Sequence, residues 1–496
     1  MRDRPVPLVG YLVLVATAIV LYAAGIDAPY FADDFQFVFD NPLANTANCL
    51  TLIYPPSEYA TSFYRPIQTC FLLQVQGAAG LSTVPIHIVH IFLHAILSCL
   101  VCWTVFRFTS RRYPALVAGL AMAASQGNVL AVASNDTLSQ LGGTLFGVAA
   151  IVALAARDRP NVCVHGLRRG LIHLLALLFL LLSLLSKEAS VCFALLAIGV
   201  IVVAPARDVP RGRRMLRVMA EVAPILIVTF SYLAFRDSLH VRPASFGGGM
   251  YDFRFGLNVL RNIATLGISA VLAGSSVDLY AALKLRNLAL VGVYSAVLGL
   301  WVAMLGWGLI RSRNLGHVAW LGLAAIVAMF PMALMNHVSE LYTYSSMPFV
   351  AAMIGLALGS LLEAGGQAGF RRRAAVLVGA ALLLSHGLAV QSKVRMMRDN
   401  GRRASELLPA VINAARNAAP GATITLVTTK PAGPTYSSFL VSDFDLLSDA
   451  GNWIRISAQR PDLKVTIVES GEASTSAPDV FRVTIENGRV VPMPHR

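Results

Sequence analysis

Charge is scarce in this 496-residue chain: Asp, Glu, Lys and Arg make up 13% against 56% hydrophobic residues, with a mean hydropathy of +0.65. That scarcity excludes a soluble globular domain of this length, in which about a quarter of residues carry charge. Cysteine is scarce too, six in all, which excludes a disulfide-dense secreted scaffold. Cys99, Cys102, Cys163 and Cys192 lie in or beside apolar runs, whereas Cys49 and Cys70 share the first long polar loop, where pairing and free thiols are both open. Neither an internal repeat nor a low-complexity tract is found, so a solenoid is excluded. The first apolar run, LVGYLVLVATAIVLYAAG, has no small-residue cleavage site and sits behind Arg2 and Arg4, so it reads as a retained span.

What the chain has instead is apolar length. LIHLLALLFLLLSLLS (171 to 186) and LALVGVYSAVLGLWVAMLGWGLI (288 to 310) approach or exceed the roughly 20 residues that cross hydrocarbon. The net charge of +14 would suit nucleic acid in a soluble protein, but here the basic residues concentrate in short loops between apolar runs, which is topology. With Arg2 and Arg4 inside, residues 25 to 84 form a first outer loop carrying Asp27, Asp33, Asp34, Asp40 and Glu58 against Arg65 alone. Continuing the alternation keeps Arg371, Arg372 and Arg373 inside and predicts about eleven transmembrane helices, with the weak apolar stretch from Asn262 lying at the interface. The expected fold is an all-α polytopic membrane bundle over 1–392, followed by a small extracytoplasmic α/β domain over 393–496. That second unit is read from a helical pattern beginning at Ala404, strand-like TITLVTT, KVTIVES and FRVTIENGRVV, and a hairpin turn at Glu486, Asn487 and Gly488. The Ala-, Arg- and Leu-rich composition leans toward a bacterial inner membrane.

Polar residues interrupt this apolar background in a few places. YFADDFQFVFDNP (30 to 42) puts the adjacent carboxylates of Asp33 and Asp34 just beyond the first span, and FYRPIQ (63 to 68) adds Arg65 to the same loop, where a guanidinium meets either a phosphate or an aspartate. His87, His90 and His94 recur at i, i+3 and i+7 on one face of the second span. No nearby carboxylate or cysteine completes a zinc set, and polar packing between helices competes as an explanation. Lys187 and Glu188 break an apolar region where a charge costs about 2.5–3.5 kcal/mol, so they belong at a polar cavity or interface. Ser134, Asn135 and Asp136, and NHVSELYTYSS (336 to 346), reach the same side as Asp33 and Asp34. A solvated acidic loop and a plain linker, SFGGGMYDF (245 to 253), are the bland readings of the first and last of these polar stretches; a mobile lid is the other reading of the glycines.

Taken in order, the acidic pair, Tyr-Arg-Pro, the histidine-marked second span, Ser-Lys-Glu and Glu-x-Tyr-x-Tyr resemble the glycosyltransferase-C superfold. Over about residues 8 to 392 the chain is most similar to bacterial relatives of the transmembrane TPR-containing protein O-mannosyltransferases, without the TPR array. His90 stands where that family usually has Asn, and the loop before Asn135 lacks its His-Pro and Trp. The resemblance implies a polyprenyl-phosphate sugar donor and a catalytic Asp in the first outer loop, matching Asp33 and Asp34.

Residue chemistry agrees with that implication. Sugar on a lipid phosphate already has a good leaving group, so the enzyme needs a base and cations, with inversion by single displacement. Asp33 or Asp34 would take the acceptor proton, and Arg65, Lys187, His87 and His94 would face the phosphate. Asp136, Glu188, Glu340, Tyr342 and Tyr344 would line the substrate pocket. No cofactor is required, although the adjacent aspartates could recruit Mg²⁺ or Mn²⁺. Acceptor protein, lipid and polysaccharide all stay open, and mannose is the sugar the family suggests. The competing reading is a transporter or lipid-linked-sugar flippase, whose inverted repeat and paired broken helices are absent from the sequence.

Overall fold

The computed structural model describes residues 5–39, 49–53, 63–157, 166–203, 211–239, 241, 252–312, 315–363, 369–428, 434–469, 480–486 and 489–492. Cys163, the turn at 487–488 and most of the glycine stretch at 245–253 lie outside them.

Long runs of Leu, Val, Ala and Ile become helices because a bilayer offers no partner for a backbone N–H, so each must be satisfied within its own segment. The first span is α1 (Leu8–Tyr22), followed by three short helices of the polar loop, α2 (Asp34–Phe39), α3 (Cys49–Ile53) and α4 (Pro66–Ala79). Next come α5 (Val84–Thr109), the pair α6 (Arg112–Ala124) and α7 (Val129–Ala133), α8 (Leu138–Arg157), α9 (Gly166–Ser186), α10 (Val191–Val203) and α11 (Arg211–Ser238). The second half holds α12 (Leu257–Val271), α13 (Ser276–Lys284), α14 (Leu288–Arg311), α15 (Leu315–Ala333), α16 (Met347–Glu363) and α17 (Gly369–Asn417). Among the described residues eight helices are long and apolar enough to cross a membrane, nine if α6 and α7, which meet at 48°, count as one. The protein is an integral, multi-pass membrane protein. The expected sixth and tenth spans fall on shorter apolar helices, α10 and α16, and the stretch expected at the interface is α12, a third short one.

One element is longer than its sequence pattern suggests. The last span and the helix expected from Ala404 are a single helix, α17, of 49 residues. Between Gln391 and Arg403 the chain is mostly Lys, Arg, Met and Ser, polar enough to leave the bilayer but containing no proline to stop a helix.

Past α17 the chain builds the α/β unit. Strands β1 (Thr423–Thr428), β2 (Lys464–Glu469), β3 (Val480–Glu486) and β4 (Arg489–Pro492) form one sheet in the order β2-β1-β3-β4. β1 runs parallel to β2 and to β3, pairing Ile424 with Val465 on one side and Phe481 on the other, and β4 closes antiparallel on β3. Between β1 and β2 lie α18 (Asp443–Leu447) and α19 (Gly451–Ala458), whose Leu446, Leu447 and Ile454 are fully buried with Ile424 and Leu426. This unit sits against the loop that follows α1, which places it at the end of the bundle carrying Asp33 and Asp34.

Candidate active site

The acidic pair is held in a strained bend. Ala32 has φ of 51°, in the left-handed region that costs a side-chain-bearing residue about 1–2 kcal/mol. Its N–H donates to the Leu446 carbonyl of α18 at 2.9 Å, so the terminal unit pins the bend from outside. The next two carboxylates then diverge. Asp34 opens α2 and is 1% exposed. Its Oδ2 accepts from the Phe31 N–H (3.1 Å) and Asn135 Nδ2 (2.9 Å), and its Oδ1 accepts from the Asn135 N–H (3.2 Å), with the Ser134 oxygen 3.4 Å away. Burial and the charge of Asp136 push its carboxyl up to about 8, against the hydrogen bonds from Asn135 and Phe31 that favour the ionised form. Asp33 points the other way, into an exposed opening, and makes no hydrogen bond or ion pair among the described residues. Dense protein around that opening, together with Asp136, Asp449 and Asp445, raises its carboxyl to about 7.

Facing this pair is the loop between α7 and α8. The Ser134 hydroxyl gives a 2.6 Å bond to Asp136 Oδ1, and Gln68 of α4 clamps the loop by donating to the Asp136 carbonyl (2.7 Å) and accepting from the Ser139 N–H (3.1 Å). Asp136 is raised above the usual carboxylate range by burial, offset by Ser134, Lys187 and Arg65. The cations come from two further loops. Arg65 makes a two-pronged pair with Glu188, Nε to Oε2 at 3.0 Å and a terminal nitrogen to Oε1 at 2.6 Å, while its guanidinium lies 4.3 Å from the Phe63 ring centre. Burial alone would raise Glu188, but Arg65 and Lys187 hold it down at about 2. Lys187 is 4% exposed, forms no ion pair among the described residues, and lies 5.9 Å from the centre of the Tyr342 ring. Burial and Arg65 lower its ammonium to about 7 against the pull of Glu188 and Asp136.

Of the residues expected from sequence, Asp33, Asp34, Asp136, Arg65, Lys187, Glu188 and Tyr342 thus share one recess. The others turn into the bundle. His87 Nε2 lies 3.3 Å from the Ala28 carbonyl. His94 Nε2 lies 3.3 Å from the Ala123 carbonyl, so that nitrogen carries the proton and Nδ1, 3.0 Å away, accepts from the Tyr344 hydroxyl. Glu340 pairs with Lys393 behind the recess. Cys49 and Cys70 form a disulfide that ties α3 to α4 with Cα atoms 5.1 Å apart. Among the described residues no group of three or more His, Cys, Asp or Glu side chains is placed to hold a metal, and both oxygens of Asp34 already accept hydrogen bonds. Gln68, Ser134, Asn135, Gln126, Ser276 and Lys393 were not assigned roles from the sequence. The sequence puts Ser134 and Asn135 on the side of the acidic pair without giving them a role, and Lys393, a charge at the end of an apolar run, is a further usable signal.

No protein family's sequence profile matches the chain, and neither does any curated protein. Solved structures do. ArnT from Cupriavidus metallidurans bound to undecaprenyl phosphate superposes with a TM-score of 0.52 at 13% identity, over 93% of this chain and 90% of that one. The same ArnT in the apo state gives 0.51 at 12% identity, over 92% and 89%. The chain has the glycosyltransferase-C fold. The archaeal oligosaccharyltransferase AglB from Archaeoglobus fulgidus, in complex with an inhibitory peptide and a dolichol-phosphate, shares the glycosyltransferase-C architecture at a TM-score of 0.51 and 12% identity. Here the match covers 92% of this chain but 64% of AglB, less than two thirds of its length.

Proposed function

We propose that the chain transfers a sugar from a polyprenyl-phosphate donor to an acceptor hydroxyl, with Asp33 as general base. The observation that carries this is the division of labour in the acidic pair. Asp34 is saturated with donors and anchors the loop, whereas Asp33 has no partner among the described residues, opens outward and is raised toward neutrality, where a base is most effective. In the single displacement, Asp33 takes the acceptor proton as the acceptor oxygen forms its bond to the anomeric carbon. The bond from that carbon to the phosphate oxygen breaks, and its electron pair leaves with the polyprenyl phosphate. Lys187 supplies the charge that stabilises the departing phosphate, and Arg65, fixed by Glu188, adds a second positive group. Inversion follows from one displacement. A mannose donor is the protein O-mannosyltransferase-like expectation, and the site's contacts are equally open to other sugars.

Two further observations support the donor class and the side. ArnT was crystallised with undecaprenyl phosphate and AglB with a dolichol-phosphate, so this fold accommodates lipid phosphates. The Cys49–Cys70 disulfide suits an oxidising compartment, which supports an outward-facing recess, periplasmic if the membrane is a bacterial inner one.

The test is transfer of radiolabelled sugar from polyprenyl phosphate in proteoliposomes, followed into lipid, protein and polysaccharide fractions. Asp33→Asn should lower kcat by about 10²-fold or more, the usual worth of a general base. Full activity in Asp33→Asn would remove the assignment. Movement of the intact lipid-linked sugar across the bilayer without transfer would replace the enzyme reading by a flippase.

A further inference from the structure

Behind the recess lies a charged cluster that the proposed chemistry leaves unused. Lys393 of α17 and Glu340, at the start of the 3₁₀ segment Glu340–Ser345, are ion-paired at 2.7 and 2.8 Å with both side chains 0% exposed. The Ser276 hydroxyl, at the start of α13, donates to Glu340 at 2.6 Å and accepts from Lys393 at 2.7 Å. Gln126, in the bend between α6 and α7, also accepts from Lys393 and fixes its own amide on the Ser269 carbonyl at 2.7 Å. Charges this deep persist only when paired and saturated with hydrogen bonds, and every partner here comes from a different part of the chain.

What the cluster holds in place is the 3₁₀ segment. Two residues past Glu340, the ring of Tyr342 covers Lys187; Thr343 donates to the Gly127 carbonyl at 2.8 Å, locking the segment to the same bend that carries Gln126. On the other side α17 continues into the terminal unit. Phe439 packs 4.9 Å from the Lys393 ammonium, Asn400 donates to the Ser438 and Phe439 carbonyls, and Gly401 leaves room for the Pro29 carbonyl, which a Cβ would meet at 2.5 Å. Pro29 begins the bend of the acidic pair. One helix therefore touches the base loop and, through Lys393, the cover of the phosphate-facing cation.

We propose that Lys393 and Glu340 are positioning residues: their buried pair sets the register of the 3₁₀ segment so that Tyr342 shields and aligns Lys187. The consequence for transfer rests on the function proposed above; the shielding does not.

The experiment uses the full chain in proteoliposomes. Lys187 is acylated with an amine-reactive reagent at pH 7 and its modification is followed by mass spectrometry. The neutral double variant Glu340→Gln with Lys393→Met removes both charges together. It should let Lys187 react at least threefold faster than in the native protein, as should Tyr342→Leu alone, and combining all three changes should add nothing. Unchanged Lys187 labelling in the double variant, beside faster labelling in Tyr342→Leu, would overturn the proposal. Should the double variant not fold, Glu340→Asp keeps both charges and shortens the link by one methylene; it should also speed labelling, and native labelling there overturns the proposal equally. In parallel transfer assays the same variants should lose kcat at least tenfold and non-additively with Tyr342→Leu, whereas additive losses count against positioning. Transfer absent even from the native protein would sink the function while labelling still decides the positioning.

Discussion

Three ionisable groups of the recess are shifted toward neutrality, Asp33, Asp34 and Lys187, and the two that the proposed chemistry uses, Asp33 and Lys187, act in opposite senses. Asp33, raised to about 7, works as a base only when it has lost its proton, so activity falls as pH drops through that value. Lys187, lowered to about 7, attracts a phosphate only when protonated, so activity falls as pH rises through that value. The product is a narrow bell for kcat/KM centred near neutrality, whose two limbs report the coupled recess. Lys187→Arg separates them, because guanidinium stays charged at every accessible pH. In that variant the acid limb should remain and the alkaline limb should disappear; an alkaline limb that survives unshifted would take Lys187 out of the phosphate site. Strain belongs at this scale too. Ala32, at φ of 51°, is the non-glycine residue directly before the base, and its backbone is held by the Leu446 carbonyl. Storing about 1–3 kcal/mol in a bend that aims Asp33 outward and Asp34 inward is consistent with a preorganised carboxylate.

At the scale of elements, α6 and α16 pack backbone against backbone. Gly355 and Gly359 face Pro114: a Cβ at 355 would meet the Pro114 carbonyl at 2.4 Å and Ala118 Cβ at 2.5 Å, and one at 359 would meet Pro114 Cα at 2.5 Å. Small residues four apart let two backbones touch, the packing that drives helix association where lipid removes the hydrophobic gain. Gly355→Leu should therefore force the helices apart and destabilise the protein by about 1–3 kcal/mol, read as a lower midpoint in thermal size-exclusion assays. A Leu variant as heat-resistant as native would mean that the contact is dispensable. The apolar runs that become these helices were legible from length and composition alone; Lys187 stood out as a charge in an apolar region, and Asp33, Asp34 and Arg65 only as an adjacent pair and a lone cation in one polar loop. The partnerships were not. Lys393 lies 267 positions from Gln126 and 53 from Glu340, and Arg65 lies 123 from Glu188, distances over which no local spacing carries information. Arg65 thus reads in sequence as a phosphate ligand while its guanidinium already grips Glu188; Glu340 and Tyr344 read as pocket residues while they face Lys393 and His94. Joining of the last span to the helix beyond it was missed for another reason: polarity marks where a helix leaves the membrane, not where it ends.

The whole molecule is stitched at one end, where the terminal unit packs on the segment of the acidic pair and further links brace that unit and the polar loop. α18 fixes Ala32, α19 brings Trp453 to 6.4 Å from Phe35, α17 carries Arg403 to Asp443 at 2.6 Å, and the disulfide joins α3 to α4 within the same polar loop. That disulfide is the cheapest handle on which face of the membrane this end occupies. Cys49 and Cys70 are 21 residues apart, and a cross-link closing a loop of that order stabilises by about 3 kcal/mol when chain entropy dominates. It persists only if its compartment is oxidising. In intact cells, a membrane-impermeant maleimide should leave both cysteines unmodified until a reductant is added. Both should react afterwards, while the fully buried Cys102 and Cys192 stay unmodified throughout. Reduction should also lower the thermal midpoint, since it frees the loop that carries Arg65 toward Glu188. Modification without reductant would mean free thiols and withdraw the disulfide's support for an outward recess. Protection that persists after reduction in intact cells, but is lost once the membrane is permeabilised, would place the recess inside. A donor sugar would then have to be presented from the cytoplasmic leaflet.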